Sequence, residues 1–343
     1  MKLQINDIQK VVLIGGGALL RKICLWCLSE DAPISVITSP RHSNENLGPG
    51  YIDGDELSLR EFLERNHIPF IVAEDIQSEG VEQFLGDTSD AFCVSLGAPW
   101  IFKEPTINSL FKRRLFNLHE TRLPQNRGGG GFSWQIMMGT RFGFCQLHLI
   151  DGGVYTGDIV KTREFLYPAQ CRIPKDYEDV YLEKSLDFII GFIKEIRQKG
   201  VCVETVKQAE YFSTYWPRLN TSLHGWIDWN TSLVDIERFI CAFDDPYEGA
   251  KSYLNDEIVF IKKVSVDYSD GNFHSFQSGI VYRKNENWLC VCAGKGSLII
   301  ESIVNQRGEN LLPKIKTGDR LYTPQQKLDE RAERVIYTPS GSK

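Results

Sequence analysis

Short apolar runs alternate with amphipathic stretches along the first 200 residues of the chain. Four of the runs are rich in β-branched and other apolar residues, which is typical of buried strands. They span residues 11–14, 34–38, 68–72 and 91–96. Helical patterns separate them, and Ser58-Leu59-Arg60-Glu61 has the form of a capping box that opens one helix. Strands that alternate with helices predict an α/β domain with a Rossmann-like, doubly wound, mostly parallel sheet, whose site lies at the carboxyl ends of the strands.

Two more strands and a long helix complete the first predicted domain. Strand patterns occur at residues 115–119 and 145–150. An apolar stripe predicts a helix over residues 181–199 that ends at Gly200. The glycines Gly15, Gly16 and Gly17 follow the first strand, but the third glycine of a dinucleotide fingerprint is absent. The favoured interpretation is therefore a structural turn.

The pattern changes after residue 200. A helix is predicted near residues 232–243, and short strands with intervening turns follow. These strands span residues 258–261, 279–282, 288–292 and 297–300. Many short strands at near-regular spacing predict a small barrel or sandwich. We therefore divide the chain into a first domain of residues 1–200, a linker of residues 201–224 and a second domain of residues 225–343.

Composition narrows the class of protein. The chain has 343 residues, 42% of them hydrophobic, and a net charge of −6, which argues against a protein that wraps nucleic acid. Nine scattered cysteines and the lack of a secretory signal favour a cytoplasmic location. No apolar stretch is long enough to span a bilayer. Cys24 and Cys27 have zinc-ligand spacing but no second ligand pair, so no metal is predicted.

The candidate chemistry lies in three segments. Asn117 and His119 are two residues apart near a strand end, so both side chains lie on the same face. The glycine run 128–131 follows and lets a ligand approach backbone N–H groups. The third segment is Asp151-Gly152-Gly153-Val154-Tyr155-Thr156-Gly157-Asp158. Together they indicate an acyl-transfer site.

These motifs resemble those of the formyltransferases that use 10-formyltetrahydrofolate. The family includes methionyl-tRNA formyltransferase, glycinamide ribonucleotide transformylase and the nucleotide-sugar N-formyltransferases. Its members show Asn-x-His, then a Leu-Pro-x-x-Arg-Gly-type loop, here at residues 123–128, then a segment similar to residues 151–158. Residues 225–229 and 241–250 are similar to the linker and opening helix of the carboxy-terminal OB-like barrel in the tRNA and sugar enzymes. The resemblance implies the formyltransferase fold followed by a smaller OB-like β-barrel domain.

The resemblance also implies catalytic roles. Asn117 would donate to the formyl oxygen, and protonated His119 would donate to the developing oxyanion. The family's aspartate position falls on Tyr155, whose phenol can donate a hydrogen bond but cannot supply the charge of a carboxylate. Three interpretations stay open. The chain is a transferase in which Tyr155, Asp151 or a water takes part of the role, it binds ligands with little turnover, or the tyrosine is an introduced substitution that weakens catalysis.

The ligand pocket follows from the same resemblance. The cosubstrate 10-formyltetrahydrofolate would contact Gly97, Trp100, Ile101, Phe102, Ile150, Asp151 and Tyr155. The alternative is that the three residues 100–102 belong to the core. Arg127, Gly128 and Gly129 would contact the diphosphate of the acceptor.

The acceptor is expected to be a primary amine, best a nucleotide-linked amino sugar, since the acidic chain favours a small substrate over tRNA. The alternatives are a catalytically impaired homologue that binds folate or a sugar nucleotide, and a methionyl-tRNA formyltransferase. The family contains both monomers and dimers, and a homodimer is the expectation here.

Overall fold

The computed structural model describes residues 2–5, 8–46, 57–338 and 341–342. The strands of its first 200 residues are β1 (Lys2–Ile5), β2 (Lys10–Gly15), β3 (Ile34–Thr38), β4 (Phe70–Val72), β5 (Ala91–Leu96), β6 (Leu115–His119), β7 (Arg127–Gly128), β8 (Phe142–Leu149) and β9 (Ile159–Leu166). The helices are α1 (Gly17–Ser29), α2 (Pro40–Ser43), α3 (Leu59–Arg65), α4 (Glu79–Leu85), α5 (Glu104–Ser109), α6 (Gly131–Met137) and α7 (Pro174–Lys199). The six strands predicted from the apolar runs are all present.

The main sheet has seven strands in the order β4-β3-β2-β5-β6-β8-β9. The five strands from β4 to β6 pair in parallel, and β8 and β9 add an antiparallel edge. The predicted doubly wound, mostly parallel α/β domain is confirmed, with that antiparallel edge as an addition. The edge matters for the site, because β8 places His148 directly opposite Asn117 on β6.

Helices cover both faces of this sheet. On β2, Val11 and Leu13 pack into one apolar cluster with α1, α3 and α7, whereas Val12 and Ile14 pack into another with α4 and α5. A strand buried on both faces needs an uninterrupted apolar run, which is why residues 11–14 predicted it. Each such side chain contributes about 1.5–3 kcal/mol on burial.

Helix α7 begins seven residues earlier than its apolar stripe predicted. Pro174 occupies its first turn, where a missing N–H costs nothing. The Asp176 carboxylate accepts hydrogen bonds from the backbone N–H groups of Arg172 (2.8 Å) and Ile173 (3.1 Å). This cap starts the helix before the first residue of the stripe.

The second half of the chain contains β10 (Val201–Glu204), β11 (Tyr215–Trp216), β12 (Ala250–Leu254), β13 (Glu257–Asp267), β14 (Val281–Lys284), β15 (Leu289–Cys292), β16 (Ser297–Asn305), β17 (Leu321–Tyr322), β18 (Tyr337–Thr338) and β19 (Gly341–Ser342). Its α-helices are α8 (Thr221–His224), α9 (Leu233–Ala242) and α10 (Gln325–Glu330), and short 3₁₀ turns lie at Glu210–Phe212 and Ser275–Gln277.

The segment predicted as a linker pairs with strands of the first domain. Strand β10 pairs antiparallel with β1, and β11 pairs in parallel with β7. The linker therefore forms one side of the glycine run instead of passing through solvent.

The second domain is built on a six-stranded antiparallel sheet of order β14-β15-β16-β13-β12-β17. A single bridge between Ile280 and Arg320 joins the beginnings of its two edge strands. That it is an OB-type barrel stays a prediction. Its core continues into the first domain, since Ile236 and Ile240 of α9 share a cluster with Ile136 and Tyr167. In the part of the chain that the structure describes, no helix has the length and apolar character needed to cross a membrane.

Candidate active site

A cavity of about 820 Å³ lies where the two halves of the chain meet. One side is formed by the loop after β5, by β6 and by the loop that joins β8 to β9. The opposite side is formed by the glycine run, by residues 215 and 218–221 of the linker, and by residues 334–336 near the carboxyl terminus. Both predicted domains thus contribute to one space, which is where ligand sites of two-domain proteins commonly lie.

Asn117 is oriented by His148. The Nδ1 atom of His148 donates to the carbonyl oxygen of Leu149 at 2.7 Å, so in the neutral ring the Nε2 atom can accept a hydrogen bond. The amide nitrogen of Asn117 donates to this Nε2 atom at 3.1 Å. Burial, followed by repulsion from His119, lowers the pKa of His148 to about 3, so this ring stays neutral. The arrangement fixes the Asn117 amide and leaves its second N–H for a ligand that lies in the cavity.

His119 is fixed by the loop that follows it. Its Nε2 atom lies 3.0 Å from the carbonyl oxygen of Asn126, which can only accept, so Nε2 carries a proton. The hydroxyl of Thr121 lies 2.8 Å from the same nitrogen and donates to the same carbonyl at 2.7 Å. The other ring nitrogen, Nδ1, lies 3.6 Å from the Glu120 carboxylate. Nδ1 is therefore the ring nitrogen of His119 that can gain or lose a proton.

Tyr155 covers His119. The two ring centroids are 4.6 Å apart, and His119 is only 2% exposed and is not among the residues that line the cavity. Burial, with the Glu120 carboxylate as the next cause, raises the pKa of Tyr155 well above its ordinary value, so the phenol is un-ionised. Tyr155 has a φ of 58°, a region that bulky side chains rarely adopt. The position implied for a carboxylate therefore holds a neutral ring in a strained conformation.

Asp151 shapes the loop that carries Tyr155. Its carboxylate accepts hydrogen bonds from the Gly153 N–H at 3.1 Å and from the Thr156 hydroxyl. Asp158 likewise accepts from the Thr205 hydroxyl at 2.8 Å. Both acidic side chains thus hold the geometry of this segment of the chain.

The predicted folate residues divide into two groups. Gly97, Ile101 and Ile150 line the cavity, and Ile101 is 65% exposed. Trp100 and Phe102 also line it but are buried in a core cluster, and the Trp100 indole N–H donates to the Glu74 carbonyl oxygen at 2.9 Å. The two alternatives for the aromatic pair therefore coincide, because each ring packs in the core and also lines the cavity.

The structure places Arg127 outside the lining of the cavity, away from the predicted diphosphate contact. Arg127 is buried, does not line the cavity, and its guanidinium bonds the Gln208 side chain at 3.1 and 3.2 Å and the Glu210 carboxylate at 2.6 Å. Gly128 and Gly129 do line the cavity, but the Gly129 N–H donates to the Trp216 carbonyl oxygen at 3.0 Å. Because β7 pairs with the linker, residues of the linker bond to the Arg127 side chain and to the Gly129 N–H.

Three charged residues in the cavity were missed by the sequence reasoning. Arg218 comes from the linker and Arg334 from near the carboxyl terminus, where it lies 5.8 Å from the Tyr215 ring. Glu120 lies directly after His119, and that adjacency was a signal available in the sequence. Within the described ranges, no group of three or more histidine, cysteine or acidic side chains is arranged to hold a metal ion.

This fold and site define a class: an α/β domain with an Asn-x-His strand, joined to a carboxy-terminal antiparallel domain around one cavity. Residues 221–313 match the family model described as the formyl transferase C-terminal domain. The methionyl-tRNA formyltransferase of Clostridium perfringens strain 13 is 26% identical over 187 residues, which cover 54% of this chain and 58% of that protein. The methionyl-tRNA formyltransferase of Rickettsia bellii is 22% identical over 254 residues, which cover 74% of this chain and 79% of that protein. The resemblance to the formyltransferase family is confirmed.

Solved structures share the fold. WlaRD, a sugar 3N-formyl transferase crystallised with dTDP and 5-N-formyl-THF, superposes with a TM-score of 0.63 at 21% identity, covering 88% of this chain and all of that one. The N-formyltransferase of Helicobacter canadensis, in complex with folinic acid and dTDP-3-aminofucose, superposes with a TM-score of 0.63 at 20% identity. The match covers 87% of this chain and 100% of that one. The chain matches 58% of the length of the Clostridium relative.

Proposed function

We propose that this protein transfers the formyl group of 10-formyltetrahydrofolate to a primary amine carried by a nucleotide-linked sugar. The observation that carries the proposal is the Asn117 amide, fixed by neutral His148 and facing the cavity beside His119. An amide N–H in a fixed position is suited to the oxygen of a formyl group, where negative charge develops during attack by an amine.

The reaction has simple requirements. The amine nitrogen attacks the formyl carbon, the carbonyl oxygen gains negative charge, and the carbon–nitrogen bond to the folate then breaks. The amine loses one proton, and the folate nitrogen gains one. Asn117 stabilises the negatively charged carbonyl oxygen. The proton-bearing groups near Asn117 transfer the proton from the amine to the folate nitrogen.

The size and walls of the cavity support a folate cosubstrate beside an acceptor. About 820 Å³ is in the upper part of the range of ligand pockets, roughly 300–1,000 Å³. Ile101, Trp100 and Phe102 offer apolar and aromatic surface for a flat ring system. The folate and dTDP ligands of the two structural neighbours support the same pair of molecules here.

The positive charge in the cavity supports an acceptor that bears phosphate. Arg218 and Arg334 present guanidinium groups on the side formed by the linker and the carboxy-terminal segment. Guanidinium groups bind phosphate oxygens through paired, charge-assisted hydrogen bonds. A net charge of −6 disfavours a tRNA substrate, although the relatives from Clostridium and Rickettsia bear that name.

The proposal is tested by mixing the purified protein with 10-formyltetrahydrofolate and three separate acceptors. These are dTDP-3-aminofucose, a dTDP-linked 4-amino sugar and initiator methionyl-tRNA. Release of tetrahydrofolate with an amino sugar is expected. Release with the tRNA alone would assign the protein to the tRNA branch, whereas folate binding without release on any amine would make it a binding homologue.

A further inference from the structure

Position 155 lacks the carboxylate that the family resemblance implies, but Glu120 places a carboxylate in the same cavity. We propose, on the basis of the formyl transfer proposed above, that Glu120 is the proton acceptor for the attacking amine and acts together with His119. The cavity has two acidic side chains among its lining residues, Asp151 and Glu120. Since Asp151 is engaged by its own loop, Glu120 is the one that faces a ligand.

The geometry of Glu120 fits the role. Its Oε2 atom lies 3.6 Å from Nδ1 of His119, the ring nitrogen that the loop leaves unused. Its side chain is 27% exposed, so it reaches the cavity that His119, beneath Tyr155, does not line. A proton taken from a ligand by Glu120 can therefore pass to His119 without a ligand contact on the imidazole.

The fold leaves room for this carboxylate. A Cβ atom at Gly131 would lie 2.7 Å from Oε1 of Glu120 and 2.8 Å from the Thr121 methyl group. The Gln135 side-chain amide donates to the Glu120 carbonyl oxygen at 3.5 Å. A glycine at the first position of α6 thus makes the space into which the Glu120 side chain extends.

Glu120 shares the cavity with a basic side chain. Arg218 lines the same cavity and supplies positive charge. In the reaction, a bond forms between the amine nitrogen and the formyl carbon while Glu120 takes the amine proton. The bond from that carbon to the folate nitrogen then breaks, and the proton returns from Glu120 to the folate nitrogen. Atoms and electrons balance with no further reactant.

The test is a double-mutant cycle on formylation of dTDP-3-aminofucose. Glu120→Gln keeps the shape of the side chain but cannot accept a proton, so kcat is expected to fall on the order of 10²–10⁴-fold. Binding of 5-formyltetrahydrofolate, measured by calorimetry, is expected to stay within about twofold, because it needs no proton acceptor. Tyr155→Asp restores a carboxylate at a φ that aspartate tolerates. In the Glu120→Gln background, Tyr155→Asp is expected to raise kcat by at least about tenfold. This increase is expected to exceed the increase that Tyr155→Asp causes in the unchanged protein.

Two further variants separate chemistry from structure. Gly131→Ala displaces the Glu120 carboxylate without removing it and is expected to lower kcat by about 10²-fold with folate binding retained. Glu104→Gln, next to the Tyr155 loop but outside the cavity lining, is the matched control and is expected to have the wild-type rate. A wild-type rate in Glu120→Gln, or no recovery by Tyr155→Asp, would overturn the role of Glu120 alone. No formylation by the unchanged protein, despite folate binding, would overturn the proposed function first.

Discussion

The neutrality of His148 makes a quantitative prediction about acid stability. Burial lowers the pKa of His148 from 6.5 to about 3, and burial also lowers the pKa of His42 to about 4. Below pH 6.5 the unfolded chain takes up a proton on each of these rings, whereas the folded chain does not. The stability that each neutral ring contributes is therefore complete above its unfolded pKa and is lost as the pH falls toward the folded pKa.

The magnitude follows from the proton taken up by the unfolded state. Between about pH 7.5 and about pH 5.5, one histidine with an unfolded pKa of about 6.5 lowers the free energy of unfolding by about 1.3 kcal/mol. His148 and His42 together lower it by about 2.6 kcal/mol. Carboxylates also contribute in this range, so the share of His148 is isolated by comparison with a variant that lacks the ring.

Urea unfolding at the two pH values measures this share. His148→Gln keeps an amide oxygen that can accept from Asn117 but does not titrate, so it is expected to lose about 1.3 kcal/mol less than the unchanged protein between the two pH values. His67→Asn, at an exposed position, is the control for removing a histidine in general. Equal losses in His148→Gln and in the unchanged protein would show that His148 is protonated in the folded state and cannot accept from Asn117.

Two further predictions concern the arginines. Arg334→Ala is expected to raise KM for dTDP-3-aminofucose by about tenfold with kcat little changed, because a charge-assisted contact of about 1.5 kcal/mol is lost in substrate and transition state alike. Steady-state kinetics against an unphosphorylated amino sugar is the control, and an equal change with both acceptors would contradict a phosphate contact. Arg127→Met is expected to lower the free energy of unfolding by about 2 kcal/mol, because Gln208 loses its buried partner. The variant is measured by urea unfolding and by steady-state kinetics. A changed KM with an unchanged free energy of unfolding would show that Arg127 contacts a ligand.

Much of the fold could be predicted because its signals are local. The run at residues 11–14 is apolar on both faces, and β2 is accordingly buried on both faces of the sheet. Asn117 and His119 were predicted to share a face because side chains alternate along a strand, and β6 has that form. The family resemblance rested on short local motifs within residues 117–158 and residues 225–250, and it is confirmed by the comparisons.

The features of the site that the sequence did not predict depend on distant segments. Arg127 was assigned to the acceptor because it precedes a glycine run, but its partner Glu210 lies 83 residues further along and reaches it only when the linker folds back. Arg218 and Arg334 enter the cavity by the same kind of long-range return. Glu120 could have been found, since an acidic residue directly follows the histidine of the motif. The cytoplasmic location, the homodimer and the domain boundaries stay predictions.

The central claim is that the cavity beside Asn117 moves a formyl group from a folate to an amine. It is tested most directly with 10-formyltetrahydrofolate labelled with ¹³C in the formyl carbon and with dTDP-3-aminofucose as acceptor, followed by carbon NMR. The label is expected to leave the folate and appear as a sugar formamide, and Asn117→Ala is expected to slow this transfer by about 10²–10³-fold. A label that stays on the folate, or that reaches the sugar equally fast in Asn117→Ala, would contradict it.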